Sequence, residues 1–163
     1  MTAKPLYFTI LAPLCDNTAV IKNILAIDLG KGSIGLALSR SGSLVTPLKE
    51  VRFPGGHYEY AIAAIRELML IEKIERFVIG YPLFPSGDPC EMTPIVERFI
   101  KMLNDSFPSI PVKKQDERNS TVEAASLMHE GGKKAKKQRK NIDSAAAAVI
   151  LSRYLKSIGQ DAD

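Results

Sequence analysis

Asn23-Ile24-Leu25-Ala26-Ile27-Asp28-Leu29-Gly30 is a short apolar run that carries one acid and closes on a glycine. Such a run, bounded by a turn residue, reads as a buried strand. Its carboxylate, Asp28, sits near the end of the element. Two other acidic positions share that placement. Asp116-Glu117 follows the run Ile110-Pro111-Val112-Lys113-Lys114-Gln115, and Asp143 opens Asp143-Ser144-Ala145-Ala146-Ala147-Ala148. If these elements meet, the carboxylates converge at one edge of a sheet. Converging carboxylates raise one another's pKa values. A divalent cation with a preference for oxygen ligands, Mg²⁺ or Mn²⁺, relieves that repulsion. The pattern points to metal-assisted chemistry on a phosphate.

Outward from this strand, Lys31-Gly32-Ser33 makes a turn and Ile34–Ser39 a second strand. Ser41-Gly42-Ser43 makes another turn and Val45–Phe53 a third strand, so the first three strands form an antiparallel meander. After the break at Pro54-Gly55-Gly56, apolar residues at helical spacing predict a helix over Tyr58–Lys73. Arg76–Tyr81 reads as a short buried strand, joined through that helix as a parallel crossover. Pro82–Pro89 is a loop, Thr93–Asp105 a helix with Pro94 in its first turn, and Ile110–Gln115 a fifth strand. Ser120-Thr121-Val122-Glu123 is a capping box opening a helix to about Glu130, which Gly131-Gly132 ends. A basic loop follows. A last helix is expected from about Ile142 to Ile158, capped by Asn141 and packed close through its alanines. The order predicts an α/β fold, a five-stranded mixed sheet flanked by helices, matching the ribonuclease H-like arrangement.

The 163 residues fit one domain, and an apolar content of 45% is ordinary for a globular chain. No apolar run reaches the ~18 residues of a membrane span, so no membrane partner is expected. The net charge of +4 is local in origin. Lys133, Lys134, Lys136, Lys137, Arg139 and Lys140 lie within eight residues, and without them the balance is −2. A concentrated basic run is a docking patch for a polyanion, and its alternative is a solvated surface loop. Cys15 and Cys90 have no metal-ligand spacing and form no disulfide framework, so a reducing cytoplasm is expected. His57 and His129 are isolated and read as surface or packing residues. Residues 1–22 form an N-terminal extension. Its apolar stretch Leu6–Leu14 weakly resembles a signal sequence, but Pro5 and Pro13 argue against one.

Four segments together resemble the YqgF family, also called RuvX: RuvC-like bacterial proteins assigned as pre-16S ribosomal RNA nucleases. They are Asp28-Leu29-Gly30 with Ser33-Ile34-Gly35-Leu36-Ala37, then Ile79-Gly80-Tyr81-Pro82-Leu83, then Asp116-Glu117-Arg118-Asn119-Ser120-Thr121, and Asp143-Ser144-Ala145. The resemblance covers residues 23–158 as a nuclease domain, with 159–163 as a tail, and implies the strand order 3-2-1-4-5. This chain departs from the family at Lys31-Gly32, in the loop Pro85-Ser86-Gly87-Asp88 and at Asn119, which affects substrate contacts more than carboxylates. RuvC-type resolvases place a glutamate at the end of the fourth strand, where this chain has Gly80-Tyr81. The second carboxylate must then come from the fifth strand.

The resemblance implies a catalytic and metal-binding set of Asp28, Asp116 and Asp143 with Mg²⁺ or Mn²⁺. Adjacent strand residues face opposite ways, so one of Asp116 and Glu117 serves; the resemblance favours Asp116, with Glu117 as the alternative. Lys31, Arg118 and the six basic residues of 133–140 are the expected nucleic-acid contacts. Arg118 has a structural salt bridge as its other reading, and Tyr81 either stacks on a base or packs. The implied substrate is pre-16S rRNA, within a ribosomal precursor particle or free, acted on by a monomer or homodimer. The competing expectations are a branched-DNA resolvase and a non-catalytic nucleic-acid-binding module.

Overall fold

The computed structural model describes residues 19–118 and 135–160, with side chains of the last helix described from residue 144 onward. Five strands, β1 (Ile24–Leu29), β2 (Ser33–Ser39), β3 (Thr46–Arg52), β4 (Arg76–Tyr81) and β5 (Val112–Asp116), form one sheet in the order β3-β2-β1-β4-β5. This is the expected 3-2-1-4-5 order. The helices are α1 (Glu59–Leu68), α2 (Thr93–Ser106) and α3 (Ala135–Ser157).

β1 is central because its sequence is apolar on both faces. Leu25, Ile27 and Leu29 pack with Ile65, Phe99 and Leu103 in the layer beneath α1 and α2. Ile24 and Ala26 pack with Ala147, Ile150, Leu151 and Tyr154 of α3. A strand covered on both sides loses the polar alternation of a half-wet strand, and the half-buried Asp28 is the break in an otherwise buried run. β1 pairs antiparallel with β2, setting Asp28 against Gly35. It pairs parallel with β4, setting Ile27 against Ile79 and carrying Asp28 to the level of Gly80. β4 and β5 are also parallel, with Gly80 opposite Gln115 and Tyr81 opposite Asp116.

The last helix differs from expectation. It begins at Ala135, so Lys136, Lys137, Arg139 and Lys140 belong to its first turns instead of a loop, and Asn141 is inside it. Ala, Lys, Gln and Arg are all good helix formers, and no Gly or Pro interrupts them. The charge run that read as a loop is therefore compatible with a helix. Lys133, Lys134 and the expected helix over 120–130 lie outside the described residues. Beyond the C-terminal end of α3, the Gln160 side chain accepts from the Ile21 amide at 2.7 Å and donates to the Ile21 and Gly42 carbonyls at 2.8 and 3.0 Å. Cys90 is a free thiol. Among the described residues, no helix is long and apolar enough to cross a membrane.

Candidate active site

Strand alternation decides which carboxylates meet. Along β1, Ile24 and Ala26 face α3, and Asp28 is next in that series. On β4, Val78 faces α3 and Gly80 follows it. The residue after Gln115 in the same alternation is Glu117, immediately past β5. A Cβ on Gly80 would collide with the Glu117 carboxylate and would come within 2.6 Å of Ile150 Cδ1. Glycine in a central strand often marks close approach by another group. Here it is the floor over which Glu117 reaches toward Asp28.

The two carboxyl groups share a hydrogen bond, and Glu117 is pushed up to about 8. Burial is the largest cause, followed by the charge of Asp28, their shared hydrogen bond, and the nearby Cys90 and Asp116. Two carboxylates in one partly buried place cannot both ionise cheaply, so one keeps its proton. Cys90 belongs to the loop after β4. Its amide donates to Thr93 Oγ1 at 2.8 Å, and Thr93 donates to the Pro82 carbonyl at 2.7 Å, which pins this loop beside the pair.

Asp116 is placed otherwise. It sits opposite Tyr81, whose ring packs with the α1–α2 layer. Its Oδ2 receives Arg118 Nε at 2.7 Å and Nη2 at 2.5 Å, while Oδ1 accepts the Arg118 amide at 2.9 Å. These hydrogen bonds hold the Asp116 carboxyl below its ordinary value. Adjacent acids in one tripeptide are thus driven in opposite directions. Arg118 also reaches the Pro85 carbonyl at 3.2 Å. Lys31, on the turn after β1, forms an exposed ion pair with Glu91 at 3.1 Å. Tyr81 donates to Glu97 at 2.6 Å, and the Lys114 ammonium sits 4.6 Å from the centre of its ring.

The structure therefore brings Asp28 and Glu117 together and ties Asp116 to Arg118. Asp143 lies in α3, one turn before Ala147 in the buried stripe Ala147, Ile150 and Tyr154, and its side chain is outside the described residues. Among the described residues no cluster of three His, Cys, Asp or Glu forms. Two groups were not anticipated. Gly80 acts as the floor, signalled in the sequence only by a glycine inside an apolar strand. Arg153 of α3 donates to the Arg118 carbonyl at 2.8 Å and lies 3.5 Å from the Asp116 carbonyl. An open groove of about 420 Å³ beside these residues is lined by Pro85, Gln115, Asp116, Arg118 and Arg153.

The donor set fits a divalent cation. Paired oxygen ligands that must otherwise share a proton gain from replacing it with a hard cation.

Comparisons with known proteins agree with this architecture. A protein of Chlorobium phaeobacteroides (strain BS1), provisionally named a pre-16S rRNA nuclease, is 38% identical over 85% of this chain and 95% of its own length. One of the same name from Onion yellows phytoplasma (strain OY-M) is 34% identical over 86% of this chain and 91% of its own. Among solved structures, Thermus thermophilus RuvC in complex with a Holliday junction substrate superposes with a TM-score of 0.53 at 16% identity, covering 86% of this chain and 98% of that one. The Fowlpox virus resolvase, solved with Holliday junction DNA, gives 0.53 at 12% identity over 83% and 98%. The fold they share is ribonuclease H-like. The family model RuvX, described as Holliday junction resolvase, matches residues 22–157, and the chain belongs to that family.

Proposed function

We propose that this protein is a divalent-metal-dependent endonuclease that hydrolyses phosphodiester bonds and trims the 5′ end of pre-16S rRNA in the cytoplasm. The observation that carries the reading is the half-buried Asp28–Glu117 pair, held over Gly80 and joined by a hydrogen bond. Asp28 and Glu117 are the first two ligands. Asp143 is the third, by its position in the sequence of α3 one turn before the buried Ala147. Asp116, committed to Arg118, is left to a supporting role.

Mg²⁺ or Mn²⁺, when bound, would supply an activated water and charge stabilisation for the leaving oxygen, in a two-ion arrangement. The chain's own residues do the rest. Asp28 and Glu117 would hold the cation in place of their shared proton, at the C-terminal ends of parallel strands, where an α/β sheet exposes its edge. The loop pinned through Thr93 and Pro82 walls the site. Lys133, Lys134, Lys136, Lys137, Arg139 and Lys140 bind the phosphodiester backbone without reading sequence. Lys31 would exchange its exposed partner Glu91 for a substrate phosphate, since such surface pairs are weak.

Pre-16S rRNA is favoured because relatives matched over more than nine-tenths of their own length carry that name. The description of the family model favours a second reading, resolution of branched DNA. The test compares wild type with Asp28→Asn on a 5′-extended 16S RNA fragment and on a four-way DNA junction, with Mg²⁺, Mn²⁺ or EDTA. Metal-dependent RNA cutting that disappears in the variant supports the processing nuclease. Cutting of the junction alone supports the resolvase. Binding of either without cutting in any metal overturns the enzymatic reading.

A further inference from the structure

Glu117 lies just beyond β5, held to the sheet by a single backbone bond to the last residue of β4. Its approach to Asp28 must be fixed by neighbours. Its own amide donates to the Tyr81 carbonyl at 3.3 Å, a long bond. The carbonyls on either side are gripped from the opposite layer: Arg153 Nη1 of α3 donates to Arg118 O at 2.8 Å and approaches Asp116 O at 3.5 Å. From the strand side, Asp116 closes a tight ring with the Arg118 amide and guanidinium, and that guanidinium anchors to Pro85 O at 3.2 Å. Glu117 is the middle residue of this bracket, whose arginine and aspartate bonds all fall on its flanking residues.

We propose that Arg153, together with the Asp116–Arg118 pair, is a positioning device that aims the Glu117 carboxylate at Asp28. Asp116 thereby contributes to the site through Glu117 and not as a ligand. The helix makes the bracket informative. α3 also carries Asp143 and the Ile150 side chain that abuts Gly80. One arginine on that helix therefore ties the β5 ligand to the element bearing the third one. A guanidinium suits this task because its several N–H groups lie in one plane with fixed directions, whereas an ammonium offers a single movable point.

The inference rests on the proposed metal centre, and its test separates the two. Mn²⁺ binding is measured by calorimetry for wild type, Arg153→Met and Arg153→Lys, alongside kcat and KM for the nucleic acid. A positioning role predicts that Arg153→Met weakens Mn²⁺ by about 10- to 100-fold, as removing a group that orients a metal ligand does. KM stays within about twofold, kcat falls at low Mn²⁺ and recovers at saturating Mn²⁺, and Arg153→Lys restores part of the affinity. Unchanged Mn²⁺ affinity with a raised KM and a shallower salt dependence would make Arg153 a phosphate-binding residue and overturn the proposal. If wild type binds no Mn²⁺, the metal centre itself fails. The bracket is then judged by amide hydrogen exchange at Glu117. Acceleration of about tenfold or more in Arg153→Met, confined to residues 116–118, upholds it; unchanged exchange sinks it.

Discussion

Glu117 and Asp116 are neighbours in sequence with opposite fates. One is packed half-buried against Asp28 and driven up to about 8, and the other is held down by Arg118. The consequence for stability follows from linkage. The folded chain keeps the shared proton between about 4.5, the ordinary glutamate value, and about 8. In that window the folded state binds more protons than the unfolded one. Stability therefore falls as pH rises through it and levels off above. Glu117→Gln keeps the shape and the neutral form. It is expected to remove this slope, matching wild type near pH 5 and exceeding it near pH 9 in urea unfolding without metal, while abolishing metal-dependent cleavage. A variant with the wild-type slope would show that Glu117 is not the proton holder. Gly80→Ala makes a different point. Its Cβ meets the Glu117 carboxylate and Ile150, so it is expected to cost about 1–3 kcal/mol by overpacking and to displace Glu117. Thermal unfolding with and without Mn²⁺ reads both effects.

Two elements carry the site's partners. β5 ends where the chain must turn from strand to site, and the Asp116–Arg118 ring makes that turn local. α3 is longer than the sequence suggested because the basic run is itself helix-forming. Its two halves have separate tasks. Between Ala147 and Leu155 it buries one face against the sheet, through Ala147, Ile150, Leu151, Tyr154 and Leu155, and from Lys136 to Lys140 it carries four of the basic residues. Changing Lys136, Lys137, Arg139 and Lys140 to Gln leaves helix propensity nearly unchanged. The expected result is weaker nucleic-acid binding, with the slope of log K against log salt reduced by about 0.7 to 0.9 for each phosphate that is no longer neutralised. Circular dichroism confirms that the helix persists. An unchanged salt slope would mean that this run is a solvated helix face.

At the scale of the molecule, the Asp28–Glu117 pair exists only where two layers meet: in the sheet, β1 supplies Asp28 and the end of β5 supplies Glu117, and α3 packs over that face. A metal bound there links these elements and should stabilise the whole fold. At about a hundred times its dissociation constant a ligand adds about 2.7 kcal/mol, and each kcal/mol raises Tm by about 2–4 °C in a chain of this size. Because the cation must displace the shared proton, the rise is expected to be larger at pH 8 than at about pH 6. EDTA should reverse it, and a Tm indifferent to Mn²⁺ at both pH values would count against a metal centre. Much of this was legible in the chain. The apolar run around Asp28, the turns at Lys31-Gly32-Ser33 and Ser41-Gly42-Ser43, and the helical spacing in α1 and α2 are local signals, and local signals place elements. The five-strand order and family membership also agree with the motifs at residues 28–37, 79–83, 116–121 and 143–145. What the sequence left open was the choice between Asp116 and Glu117. Alternation says that one of two adjacent residues faces a given side, but not which. That depends on the register of β5 against β4 and on the room that Gly80, by lacking a side chain, leaves for Glu117, both set by residues far apart in sequence. The same holds for Arg153, whose role appears only when α3 lies across the end of β5. Local propensity determined the pieces, and packing across the sheet determined which carboxylates would meet.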